Sequence, residues 1–354
     1  MTMAGLTVAL TALNAALPTA SQAQTQKSET SKSAAKLTPQ EAEWERLVAT
    51  GRASVKRGKL EEATKQFKAA EALARKMPHN NERLSTSLRI LSRLDKETCQ
   101  YEEAEKYARE LVDVTRKSGS DPDKVSFEIN ALATILKKEG KYDQAEKTYL
   151  EALDTLGTKN AETIAAATVH DNLGIVYQHQ HQFQQALDHH EIAYKIYAKQ
   201  LGDDKTDTAL CQGNMGQALF SMGKYEKAEE LMQHSLTTLE KTEGVNSEYA
   251  ATFRDNLAAV YCKKGEFPKA ETMQRQSLTS YEKLNGKDNP DYSICLDNLA
   301  MTLAAQGKFE EAKEAAGEAS AIAIKVLGAG HPFTKHSLSV LEQVNAVAKA
   351  QKKP

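Results

Sequence analysis

The chain has 354 residues, of which 46 are Lys or Arg and 48 are Asp or Glu, for a formal net charge of −2, and 40% are hydrophobic. This balance leaves no basic face for nucleic acid and no polybasic cluster for an anionic membrane surface, so neither partner is expected. The length admits two ordinary domains or one elongated array, and a fixed internal period favours the array.

Residues 4–17 form an apolar run rich in Ala and Leu, followed by Pro18 and the small-residue series Ala20, Ser21, Gln22, Ala23. The pattern is that of a secretory signal, so residues 1–23 are expected to be cleaved and the chain to be secreted or periplasmic, with the mature protein starting at Gln24. Met1, Thr2 and Met3 place no positive charge ahead of the run. The alternative is therefore a tail without a targeting role on a cytoplasmic protein. The run is too short to span a bilayer, and no later stretch approaches the ~20 apolar residues that spanning requires. Residues 24–37 are Ser, Thr, Gln, Lys and Ala without a hydrophobic period, which predicts a disordered linker.

From residue 38 to 354 the sequence reads as one repeat array. Thr38-Pro39-Gln40-Glu41 combines a capping box with Pro at the first helical position, and the apolar period starts at Trp44, Leu47 and Val48. An Ala that closes each turn motif recurs at Ala63, Ala104, Ala145, Ala186, Ala228, Ala270 and Ala312. Seven units follow, starting near residues 44, 85, 126, 167, 209, 251 and 293, each a helix, a tight turn and a second helix. No strand pattern occurs. The turn calls for positive φ and carries Gly58, Gly140, Gly223, Gly265 and Gly307. Cys99 and His181 replace the glycine in units two and four, where a slightly strained or differently shaped turn is expected. Small residues recur in the first helices at Gly51, Ala133, Gly174, Gly216, Ala258 and Ala300, where helices must approach closely. Residues 333–350 resemble another first helix, with Glu342 at the small-residue position, and read as a C-terminal capping helix.

His170-x-x-Leu173-Gly174-x-x-Tyr177 and Ala63-x-x-x-Phe67 resemble the tetratricopeptide repeat pattern, and the length of 41 or 42 residues per unit, with joints such as Gly328-Ala329-Gly330-His331-Pro332, is similar to the longer kinesin light chain repeats. The resemblance spans roughly residues 44–350. It implies an all-α, right-handed α-solenoid of about seven helix-turn-helix repeats plus the cap, with a concave groove that binds protein or peptide and no catalysis. The family's carboxylate-clamp variety sets Lys beside the Asn of the first helix, and here that neighbour is Asp.

No nucleophile and base cluster, phosphate-cradling loop or metal-ligand spacing marks an enzyme, and no cofactor is expected. Five of the nine histidines fall between His170 and His190, but His189 and His190 are adjacent on a helix and face different ways, so they form no ligand pair. Cys99, Cys211, Cys262 and Cys295 lack short C-x-x-C spacings and read as small buried hydrophobes. The candidate peptide-binding residues are Asn172, Asn214, Asn256 and Asn298, one in each of units four to seven. Their amides can grip an extended backbone, or they can hydrogen-bond neighbouring helices and set the pitch. Asp171, Asp255 and Asp297 precede three of them, with Gly213 interrupting the series. A groove lined by these carboxylates would favour an extended, basic segment, whereas a solvated helix face explains them equally well. The expected function is a protein-binding scaffold. The alternative is a structural accessory subunit of an envelope enzyme or assembly complex, acting through its convex face. Oligomeric state and partner identity have no signature in the sequence.

Overall fold

Thr38 opens the first helix as the sequence predicts: its hydroxyl accepts from the Glu41 N–H at 3.3 Å while Glu41 accepts from the Thr38 N–H at 2.7 Å. The computed structural model describes residues 37–77 and 81–351, and the expected signal and all but the last residue of the expected linker lie outside these. The described residues are all-helical, with no strand among them. None of the helices is long and apolar enough to cross a membrane.

Contacts divide the chain into two bodies, one ending at Ala161 and one running from Glu162 to the C-terminus, where a single array is expected from the period. The first body holds three helix pairs: α1 (Pro39–Lys56) and α2 (Leu60–Lys76), α3 (Asn81–Glu97) and α4 (Tyr101–Lys117), α5 (Pro122–Lys138) and α6 (Tyr142–Leu156). The second holds four pairs and a last helix: α7 (Ile164–His179) and α8 (Phe183–Gln200), α9 (Thr206–Ser221) and α10 (Tyr225–Thr242), α11 (Glu248–Lys264) and α12 (Phe267–Asn285), α13 (Pro290–Ala305) and α14 (Phe309–Leu327), then α15 (Pro332–Gln351). The seven units and the cap are thus all present, the cap packing on both α13 and α14. Within each body, every pair stacks on the next, which supplies the core that one pair cannot build alone.

One turn geometry repeats seven times. The N–H beyond the turn residue bonds back five positions, from Lys59 to the Ser54 carbonyl at 2.9 Å and from Gln182 to the Tyr177 carbonyl at 2.8 Å, for example. This closure requires a left-handed residue at the turn. Glycine supplies it at Gly58 (φ 72°) and Gly265 (φ 77°), and Cys99 and His181 adopt the same conformation at φ 61°. Of the two expectations for those turns, strain is correct and a different shape is not. Each non-glycine residue there costs about 1 kcal/mol relative to Gly.

The small residues sit where close approach was inferred. A Cβ on Gly51 would lie 2.5 Å from the Phe67 ring, and one on Gly216 would lie 2.7 Å from Met232. A second set of close approaches joins the two helices of a unit: Ser126 donates to the Ala152 carbonyl at 2.9 Å, Ser235 to Ala209 at 2.6 Å, Ser277 to Ala251 at 2.9 Å and Ser293 to Ala319 at 2.8 Å. The hydroxyl comes from the first helix at Ser126 and Ser293 and from the second at Ser235 and Ser277, each facing an alanine. The four cysteines are all free; Cys211 and Cys295 are buried, whereas Cys99 is exposed and Cys262 intermediate, so only two fit the buried-hydrophobe reading.

Candidate protein-binding site

In the second body the first helices of successive units touch one another, α7 with α9, α9 with α11 and α11 with α13, and so form the inner layer of the stack. The candidate Asn and Asp residues lie on these helices. They are joined to each other, but across units. Asn214 donates to both oxygens of Asp171, at 3.2 and 3.3 Å, and Asn298 donates to Asp255 at 2.8 Å; each tie spans 43 residues. The Asp preceding each Asn therefore serves the following unit's Asn, and the carboxylates of Asp171 and Asp255 are not a simply wetted helix face. Asp297 is 3% exposed, beneath α15, where Ser337 donates to it at 3.0 Å. Gly213 breaks the series because a side chain there has no room: its Cβ would lie 1.7 Å from the Phe253 ring. Asn256, half-exposed on α11, consequently has no aspartate to serve and no hydrogen-bonded partner among the described residues. Asn172 is half-buried on α7.

Beneath each tie lies a polar residue, one weighed from the sequence only as a metal ligand, His190, and one that the sequence reading did not single out, Gln274. His190 and Gln274 occupy the position four residues after the motif Ala, where Phe67 and Tyr149 fill other units, and are 0% and 2% exposed. The remaining units carry Ala108, Met232 and Ala316 there, so a polar residue in an otherwise apolar slot is the signal that marks these two positions. His190 Nδ1 lies 2.7 Å from Asp171, and the Cys211 thiol donates to the His190 carbonyl at 3.2 Å; in the later copy Cys295 donates to the Gln274 carbonyl at 3.4 Å and to Asp255 at 3.6 Å. Burial works against ionisation of Asp171, but hydrogen bonds and charge from His190, with donation from Asn214 and Cys211, outweigh it and hold the carboxyl below its usual range. At Asp255 burial prevails over the bonds from Asn298 and Cys295, and the carboxyl is raised. Burial likewise pushes Asp297 up to about 6 and both buried thiols well up, so Cys211 and Cys295 are protonated donors.

The ligand atoms of Asp171, His190 and Cys211 lie within 4.8 Å of one another, close enough to consider a metal. Two features read the group as packing instead. His190 Nε2 is buried without a hydrogen-bond partner, whereas a metal-bound imidazole normally anchors its second nitrogen. The same arrangement also recurs around Asp255 with Gln274 in place of the imidazole. The other inward histidine contact is His170 Nδ1 to His189 Nδ1 at 2.9 Å, with His189 stacked on Tyr177. Adjacent on α8, His189 and His190 do face different partners, as their spacing predicts.

One open cavity, about 320 Å³, lies against α11 and α13 and gathers two of the candidate residues, Asp255 and Asn298, with Phe220, Ala259, Gln274 and the half-exposed Met301. The first body carries another cavity of about 260 Å³ between α3 and α5, with Arg89, Arg93 and Lys96 beside Phe127, which is 59% exposed. Arg89 is held there by the buried Glu128 at 3.0 Å.

Tetratricopeptide repeat models match residues 163–241 and 248–325, and a further one matches residues 129–161. The chain is a tetratricopeptide repeat protein. Among solved structures the array is similar to BtubC (BKLC) from P. vanneervenii, at 23% identity over 69% of this chain and 94% of that one with a TM-score of 0.54. It is also similar to a tetratricopeptide repeat protein from Parabacteroides merdae, at 15% identity over 86% and 99% with a TM-score of 0.58. A Rap protein complexed with competence and sporulation factor matches at 17% identity over 88% and 86% with a TM-score of 0.55. Identities this low establish the fold of the array. No curated protein matches the sequence. The family is generally non-catalytic, and its members serve as protein-interaction scaffolds.

Proposed function

We propose that this tetratricopeptide array is a non-catalytic scaffold that binds an extended, basic protein segment along the inner layer of first helices in residues 162–351. The observation that carries the reading is the open cavity beside α11 and α13, where Asp255 and Asn298 meet apolar walls. Asn256 on the same layer adds an amide with no hydrogen-bonded partner among the described residues, suited to bond a ligand backbone. The carboxylates of Asp171 and Asp255 attract Lys or Arg, which makes association sensitive to salt. The proposed place of work is secreted or periplasmic, on the pattern of residues 1–23 alone.

The structure separates two asparagines that look alike in sequence, and this gives the test. Asn214→Ala removes a donor from Asp171 and is expected to lower the melting temperature. Asn256→Ala breaks no tie and should stay within ~0.5 kcal/mol of the parent in stability. It is expected to weaken affinity for the protein captured by the mature chain by ~0.5–1.5 kcal/mol, the value of one hydrogen bond. Unchanged affinity at unchanged stability would remove Asn256 from the site.

A further inference from the structure

The chain contains its own comparison for the cavity at Asp255. At Asp171 the carboxylate has three kinds of donor around it: His190 from below, Asn214 from the next unit, and the Cys211 thiol. Asp255 has the equivalents of the last two, Asn298 and Cys295. The donor from below is missing, because Gln274 stands in the place of His190 and gives Asp255 no hydrogen bond, while its own Oε1 is buried without a partner. Ala258 stands where Gly174 makes room for the His190 ring, which a Cβ on Gly174 would meet at 2.5 Å. An imidazole at position 274 is thus sterically refused, and the open cavity is lined by one orphaned acceptor, Gln274 Oε1, beside a carboxylate that has one donor fewer than Asp171. Buried acceptors without donors are costly, and a ligand that supplies the donor recovers that cost.

Resting on the segment-binding reading above, we propose that this cavity receives a side chain ending in a cationic N–H donor, lysine or arginine. The Asp255 carboxylate and Gln274 Oε1 accept from its head, and Phe220 and Met301 flank its apolar stem. Burial raises the Asp255 carboxyl because it disfavours the charged form, and a cationic group in the cavity supplies the compensation that the buried carboxylate lacks. The exposed Lys263 also lines the cavity and repels a second cation, so Lys263→Gln is expected to tighten binding.

Calorimetry on the full chain at low salt with acetyl-Ala-Lys-Ala-Lys-Ala-amide tests the proposal, against versions with arginine, norleucine or glutamate at both lysine positions. The lysine and arginine peptides are expected to bind and the other two to fail. Asp255→Asn is expected to weaken the lysine peptide about tenfold or more, the worth of a hydrogen bond to a charged group. The pair Ala258→Gly with Gln274→His copies the satisfied arrangement of unit four into unit six, and should abolish binding without lowering the melting temperature. Equal binding of the lysine and norleucine peptides overturns the proposal, as does lysine-peptide binding undiminished by Asp255→Asn, which decides the matter even if the double variant folds poorly. Binding of the norleucine or glutamate peptide alone, lost on Met301→Lys, would overturn the cationic head while keeping a segment in the groove. Failure of the groove itself has a different signature: the natural partner would contact only the second helices.

Discussion

Gly213→Asp is expected to destabilise the second body by about 3 kcal/mol, at the upper end of what overpacking a filled interior costs. The new side chain enters space held by the Phe253 ring, which is 6% exposed and would lie 1.7 Å from the added Cβ. Yet aspartate is what the repeat carries at this place in units four and six, Asp171 and Asp255, and in both cases a cysteine stands 40 residues on, Cys211 and Cys295. Unit six carries Phe253 instead, and Gly213 faces it. The chain thus uses two solutions for one contact, a large ring against no side chain or a thiol against a carboxylate. Phe253→Cys alone should also destabilise, by leaving a cavity. Together the two substitutions reconstitute the Asp and Cys pair and give Asn256 the carboxylate that Asn214 and Asn298 have. Urea unfolding of the four proteins should show a favourable coupling of about 2 kcal/mol, within the range for residues in contact. Simple additivity would show that the two positions do not share the contact.

The second large effect is acid sensitivity at His170. Burial first, and the neighbouring His189 second, lower its pKa from the ordinary 6.5 to about 4. The folded state therefore binds this proton more weakly than the unfolded chain does. Its contribution is fully present above pH ~6.5 and is lost as pH falls towards ~4, amounting to about 2 kcal/mol by pH ~5 and about 3 kcal/mol in full. Asp255 and Asp297, with raised carboxyl pKa values, act in the opposite direction on acidification. The informative quantity is thus the difference in unfolding free energy between the parent and His170→Gln, in which those carboxylates cancel. That difference should shift by about 2 kcal/mol against the parent between neutral pH and pH ~5. Parallel pH profiles would show that the imidazole is not desolvated.

The sequence made the scaffold legible where a position tolerates one kind of residue. A left-handed turn selects glycine, a close helix approach selects Gly or Ala, and the Thr38 and Glu41 pair marks a helix start, so the seven units and the cap were readable directly. The capping box formed as read, and Cys99 and His181 joined the same turn geometry as the glycines at an energetic cost. The polar ladder was less legible. Asp171 and Asn172 look like partners because they adjoin in the chain, but on a helix neighbouring residues diverge, and Asp171 meets Asn214 of the next unit instead. Gln274 escaped notice, and His190 drew attention only as one of a histidine cluster, because a polar residue in an apolar slot breaks the pattern on which the reading relied. Their pairing with Gly174 and Ala258 is visible only once α7 and α8, or α11 and α12, are packed together. The division after Ala161 has no counterpart in the spacing of the motif alanines, which stays at 41 from Ala63 through Ala186.

The central claim is that partner binding uses the first helices of the second body. Site-specific cross-linking tests it most directly, with a photoreactive benzophenone side chain placed at Met301 on α13 or at the exposed Thr279 on α12. The account predicts that Met301 cross-links to one short, lysine- or arginine-bearing segment of the captured protein and that Thr279 gives no product. Cross-links from Thr279 with none from Met301 would contradict it and place the interface on the second helices.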